Sequence, residues 1–179
     1  FRSKNIMNMC KKIFSLDAET NGLWGQAFSI AAIVIENGDE TARFIARCPI
    51  EEPVNSWVAE NVLPQMETIP ETHDNYISML SAFMQFYMEH KTDADVIVHM
   101  GLPVEARLFL DAHAAGIIGD WDAPYPLIDI SAYPEVGDSV DGYNASHGIV
   151  VPEFDGGTHN PLYDSYAAAL CYKSICNNR

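Results

Sequence analysis

Positive charge is what this sequence has least of. Among 179 residues, Lys and Arg number 10 against 25 Asp and Glu, a formal net charge of −15 at pH 7. Such a chain repels nucleic-acid backbones at long range, which excludes a module that coats long polyanions by charge alone. Any phosphate it handles must be held locally, by metal ions, helix N-termini or a few placed bases. Long apolar runs are also missing. The best candidates, FSIAAIVI and VIVHMGL, are strand-sized, so no membrane span and no membrane partner are expected. The opening FRSKNIMNM has no apolar core of an export signal, and the protein is expected to be cytoplasmic. Residues 1–10 read as a disordered arm or non-native remnant, with Met7 or Met9 a plausible native start, and 11–179 as one domain. Cysteine is sparse too. Cys10, Cys48, Cys171 and Cys176 form no CxxC pair and are expected to be free, mostly buried thiols.

What the sequence does have is alternation of strand and helix signals. Residues 12–17 read as a strand. Residues 27–48 read as two more, joined at Asn37-Gly38-Asp39, a hairpin signal between apolar runs. A short helix over 54–64 carries Trp57, Val58 and Val62. A longer one over 72–91 places Ile77, Leu80, Phe83, Met84, Tyr87 and Met88 on a core-facing stripe. Residues 94–100 form an apolar interior strand, 103–117 a helix, 125–131 a short fifth strand, and 160–176 a last helix with Pro161 in its first turn. Residues 132–158 read as loop with one weak helix. The expected fold is α/β: a mixed five-stranded sheet, three strands as an antiparallel meander and two parallel, flanked by helices.

The chemistry begins at KKIFSLDAETNGL. An apolar strand ends in Asp17 and Glu19, which the period of two puts on one face. Two carboxylates sharing a site resist ionising together unless a cation neutralises them. Hard oxygen donors suit magnesium or manganese. Far away in sequence, HNPLYD sets His159 five residues before Asp164, with the His at the helix entrance and the Asp in its second turn. An imidazole beside a carboxylate supplies what metal-assisted hydrolysis needs: a further metal ligand and a base for water.

Together these stretches resemble the DEDD-type 3′–5′ exonucleases of the ribonuclease H-like fold, in the branch with a catalytic histidine. LDAETNGL is similar to the first motif of that family and HNPLYDS to its third. VHMGLPVEARLFL occupies the slot of the second, with Glu105 where an Asp is usual. SWVAENVLP is similar to a segment of some exoribonuclease members. The resemblance runs over residues 12–176 and implies two ions per site, Mg2+ or Mn2+. Asp17 would bridge them, Glu19 and Asp164 would hold the ion that activates water, Glu105 would support the second, and His159 would be the general base. The peptide groups of Ala18 and Thr20, with Leu23 or Trp24, would receive the terminal nucleotide, although Trp24 reads equally well as core. The implied partner is a nucleic acid with a free 3′ end, RNA or DNA, short and single-stranded or recessed, and a homodimer is possible.

Two other readings stay open. A haloacid dehalogenase-type phosphatase also opens with acids at a strand end, but needs a second Asp and a placed lysine and leaves HNPLYD unused. A nuclease fold serving as adaptor or inhibitor is favoured by the charge and by Glu105, and opposed by Asp17, Glu19, His159 and Asp164. Of the remaining charged groups, His99 reads as a satisfied core residue in preference to a substrate or outer metal-site contact, Asp120, Asp122 and Asp129 as surface or strand-end charges, and Asp138 and Asp141 as part of a mobile loop. Lys11, Lys12 and Arg107 are expected to be the bases nearest the site.

Overall fold

The structure, a computed structural model, describes Cys10 and residues 12–179. The expectations for residues 1–9 and for Lys11 lie outside the described residues. Five strands, β1 (Lys12–Thr20), β2 (Ala27–Glu36), β3 (Asp39–Arg47), β4 (Asp95–Val98) and β5 (Ile128–Asp129), form one sheet in the order β3-β2-β1-β4-β5. Strands β1, β2 and β3 pair antiparallel, while β4 and β5 run parallel to β1, so the expected mixed sheet is present. The β2–β3 turn sits on Asn37 and Gly38, both at positive φ, as tight hairpins require.

The alternation along β1 divides the core. Phe14, Leu16 and Ala18 face one layer, α2 (Tyr76–His90) and α3 (Val104–Ala114), where the Phe14 ring meets Tyr87 edge-on at 5.6 Å. Ile13 faces the other, where α5 (Pro161–Asn177) lays Ala167, Ala168, Ala169 and Ile175 against Ile33 and Ile97. Small alanines let α5 lie close to the sheet, and that closeness brings its first turn to the end of β1.

Several boundaries differ from the sequence expectation. β1 continues through Thr20, so both acids are strand residues. The 54–64 helix is a short α1 (Ser56–Asn61) followed by a 3-10 turn, and Trp57 faces solvent while Val58 and Val62 are buried. On α2, Leu80, Phe83, Met84 and Tyr87 are buried, but Ile77 and Met88 lie at the edge of the stripe and stay exposed. The weak helix of the 132–158 region is α4 (Val140–Ser146), and it holds Asp141, which accepts the Tyr163 hydroxyl at 3.0 Å. His159 ends a separate 3-10 turn, and Asp164 stands in the first turn of α5 rather than the second, because Asn160 caps the helix by accepting the Leu162 N–H.

The cysteines need a correction. Cys48 and Cys171 are buried free thiols, whereas Cys10 and Cys176 are joined in a disulfide with a Cα–Cα distance of 5.9 Å. The sheet sets the start of β1 beside the last turn of α5, a proximity that a sequence separation of 166 residues conceals. Among the described residues, no helix is long and apolar enough to cross a membrane.

Candidate active site

The site forms where β1 outruns its parallel neighbour. The β1–β4 ladder ends at Ser15 and Ile97, so the last turn of β1 is open on that side. Asp17 and Glu19 share the face covered by α5, which carries Asp164 to them. One carboxylate oxygen from each of Asp17, Glu19 and Asp164 lies within 4.8 Å of the others. His159 joins this group, with Nδ1 4.0 Å from Glu19 Oε1.

Glu105 arrives differently. It sits at the start of α3, on the opposite layer, and reaches the strand edge. It is 3% exposed, and its Oε1 accepts the Ala18 N–H at 3.0 Å, an amide with no partner in β4. Glu105 is therefore beside the three-acid group without belonging to it. Of the expected nucleotide contacts, the Ala18 amide is thus engaged by Glu105, and the Thr20 carbonyl accepts the Gly22 N–H at 2.9 Å. Leu23 and Trp24 are 62% and 69% exposed, so Trp24 is not a core residue.

The electrostatics are those of acids crowded out of water. Burial first, then the carboxylates of Glu105, Asp164 and Glu19, push Asp17 well above the usual range. Burial, then Asp164 and Glu105, push Glu19 up to about 8. Burial and then Asp141 raise Asp164 to about 7. Burial raises Glu105 to about 8 against the lowering effect of backbone hydrogen bonds, with Asp129 and Asp164 adding to the rise. An all-oxygen donor set held this close, each member reluctant to ionise beside the next, fits a hard divalent cation such as Mg2+ or Mn2+.

The walls are built by polar ties. Asn21 is buried, donates to Glu52 Oε1 at 2.9 Å and to the Pro53 carbonyl at 3.0 Å, and accepts the Asn55 N–H at 2.7 Å. It thereby joins the β1–β2 turn to the segment before α1. Arg107 donates to the Trp24 carbonyl and pairs with Asp111 at 3.5 Å, so this base is beside the β1–β2 turn. Lys12 is not: its Nζ donates to the Thr92 carbonyl at the far end of β1. His99 is satisfied by the Gly137 carbonyl at 3.0 Å and lines a cavity of about 240 Å³ with Asp17, Met100, Val140 and Asp164.

One contributor escaped the sequence. Asp129 at the end of β5 accepts the N–H groups of Met100 and Gly101, both at 3.0 Å, in the turn leading to Glu105. No spacing marks it, because its partners are backbone groups almost thirty residues away. Asp120 and Asp122 are surface groups as expected, Asp120 pairing with His113 at 2.7 Å.

No family model matches this chain, and no curated protein matches it. Among solved structures, the chain is similar to "Exonuclease X in complex with 5′ overhanging duplex DNA", with a TM-score of 0.55 and 16% identity over 93% of this chain and 92% of that one. At that identity the likeness is one of fold, and the fold of this chain is ribonuclease H-like.

Proposed function

We propose that this chain is a metal-dependent 3′–5′ exonuclease that releases nucleoside 5′-monophosphates from short single-stranded nucleic acid. The observation that carries this reading is the convergence of Asp17, Glu19, Asp164 and His159 at the end of the central strand. In this reading Asp17, Glu19 and Asp164 hold a divalent cation, and Glu105 supports a second from α3. Such ions, when bound, stabilise charge on phosphate oxygens and lower the pKa of bound water. His159 takes the proton from the attacking water, and the Asn160 cap, tied to the Asp155 carbonyl at 2.7 Å, keeps its turn next to Glu19. Leu23 and Trp24 offer an apolar face for the terminal base.

Substrate length follows from where the bases are. Lys12 is at the far end of β1, Lys91 bonds the Asp122 carbonyl, Lys173 reaches the Gly38 carbonyl, and Arg179 pairs with Glu135. Among the described residues, Arg43 pairs with Glu40 and Arg47 bonds the Met66 and Ile69 carbonyls, which leaves Arg107 beside the β1–β2 turn, so the site grips a terminus rather than a track of phosphates. The likeness to a protein holding 5′ overhanging duplex DNA adds a recessed 3′ end as a second substrate to offer.

The test is a time course on 5′-labelled RNA and DNA oligomers with Mn2+, Mg2+ or EDTA. The expected result is a ladder shortening from the 3′ end, absent in EDTA and in Asp17→Ala. A folded protein that cleaves neither polymer with Mn2+ would overturn the reading. The adaptor alternative is favoured by one observation, Glu105 standing outside the close group, and it predicts no stabilisation by divalent ions. A phosphatase of the dehalogenase type is disfavoured because, among the described residues, the lysines Lys12, Lys91 and Lys173 are all engaged away from Asp17.

A further inference from the structure

The turn between β4 and α3 determines where Glu105 sits, and one side chain holds that turn. Met100 is in the left-handed region at φ +55°, where non-glycine residues are uncommon. Gly101 is pressed so tightly that a Cβ there would lie 2.4 Å from Val98 Cγ2 and 3.3 Å from Glu105 Oε2. The Gly101 carbonyl accepts the Ala106 N–H at 2.9 Å and so ties the turn to the first residues of α3, whose N-terminus has no side-chain cap. Both turn amides go to the same carboxylate. Asp129 Oδ1 accepts from Met100 N and Oδ2 from Gly101 N, each at 3.0 Å. Asp129 is fixed in turn by the Ser131 N–H at 3.0 Å and the Ser131 hydroxyl at 2.7 Å, and by its ladder position opposite Val98.

We infer that Asp129 is a positioning residue for the acid site: its carboxylate clamps the Met100–Gly101 turn and so holds the Glu105 carboxylate against Ala18, governing divalent-cation binding through Glu105 without touching ion or substrate. This rests on the proposed exonuclease reading. A clamp on a left-handed turn is needed because the turn's own backbone has no ladder partner once β4 ends. Asparagine is the informative substitution. It keeps the shape, but its amide NH2 confronts one of the two turn N–H groups, so one clamping bond is lost.

The experiment is a calorimetric titration of the full chain with Mn2+ in saturating nucleoside 5′-monophosphate, for wild type, Asp129→Asn, Glu105→Gln and the double variant. The wild type is expected to take two ions. Asp129→Asn is expected to weaken the looser ion by about 10-fold, the lower end of what outer contacts to a metal site contribute. The tighter ion, held by Asp17, Glu19 and Asp164, should be unchanged. In the Glu105→Gln background Asp129→Asn should add no more than about 2-fold, because both act through one group. Equal isotherms for wild type and Asp129→Asn, an undiminished effect of Asp129→Asn in the double variant, or uptake of a single ion by the wild type would each overturn the inference. If Asp129→Asn does not fold, Ser131→Ala releases the clamp more gently and should shift the same affinity about 2-fold, no shift being refutation. A wild type that binds no Mn2+ and degrades no oligomer refutes the exonuclease reading itself; a wild type that binds and cleaves, with Asp129→Asn indistinguishable from it, refutes the clamp alone.

Discussion

Glu105 Oε1 accepts the Ala18 N–H at 3.0 Å, taking the place of the strand that β4 does not extend to provide. The carboxylate therefore has two duties, closing a backbone group and facing the acid cluster, and they can be separated. Glu105→Gln keeps a carbonyl oxygen for Ala18 and should unfold within about 1 kcal/mol of wild type, while nuclease activity falls at least 10-fold. Glu105→Ala leaves a buried amide unpaired and should lose a further 1–3 kcal/mol or so. Thermal melts in EDTA, read beside an oligonucleotide assay, check both; equal melting points for the two variants would mean that the bond carries no stability.

The acid cluster should make the metal-free protein a poor match for alkaline pH. Asp17, Glu19, Glu105 and Asp164 all have folded-state pKa values above their ordinary range, Glu19 and Glu105 at about 8 and Asp164 at about 7. Through that window the folded state holds more protons than the unfolded chain, so stability falls as pH rises from about 5 to 8. In EDTA the midpoint of thermal unfolding should drop by several degrees over that range, since about 1 kcal/mol corresponds to 2–4 °C for a domain of this size. Saturating Mn2+ should flatten the dependence by stabilising the ionised carboxylates. A metal-free midpoint that rises steadily between pH 5.5 and 8 would contradict the cluster.

The same repulsion predicts a trade between stability and activity. Asp17→Asn removes a carboxyl whose ionisation burial and its neighbours oppose, so at pH 8 without metal the variant should melt above wild type by a few degrees, yet show no turnover. His159→Ala should behave otherwise. It lies 4.0 Å from Glu19 but outside the three-acid group, so metal-dependent stabilisation should persist while the rate falls by roughly 10²–10⁴, the usual worth of a positioned proton acceptor. Loss of Mn2+ stabilisation in His159→Ala would make it a ligand instead.

The exposed apolar rim makes a prediction about binding. Trp24 and Trp57, 69% and 60% exposed, stand on segments that Asn21 ties together. Trp24→Ala should raise KM for a dinucleotide or short oligomer with little change in kcat, by roughly 5- to 150-fold if one base stacks there, since such stacking contributes about 1–3 kcal/mol. Steady-state kinetics on the wild type and Trp24→Ala decide it; a change in kcat alone would move the base elsewhere.

What the sequence shows of this protein is what period and local spacing can encode. Asp17 and Glu19 were legible because a strand repeats every two residues, and His159 and Asp164 because they flank one helix start. The meander was legible from Asn37-Gly38 between apolar runs. Asp129 was not, because a carboxylate that serves backbone amides leaves no trace in the identity of its partners, Met100 and Gly101. Trp57 misled for the opposite reason: a helical position shared with Val58 and Val62 suggests core, but a helix of six residues buries a narrow stripe only.

The disulfide was invisible on the same grounds, and its effect on stability can be measured directly. Cys10 and Cys176, 166 positions apart, close a loop spanning almost the whole chain. In the chain-entropy account, a loop of that length restrains the unfolded ensemble by up to about 5 kcal/mol. The bond joins the start of β1 to the last turn of α5, near where Tyr172 donates at 3.0 Å to Asp95 of β4, the ladder partner of Ile13, so packing already holds this end of α5 against the sheet. Cutting the bond should therefore lower stability without altering the native fold. Dithiothreitol, or Cys176→Ser, should lower the melting midpoint by about 5–15 °C at 2–4 °C per kcal/mol, while oligonucleotide hydrolysis at 25 °C stays within about 2-fold of wild type, because the acid cluster lies at the opposite end of β1. Thiol counting under denaturing conditions supplies the control: two free thiols, Cys48 and Cys171, before reduction and four after it. Four before reduction would remove the bond, and with it the expected loss on adding dithiothreitol.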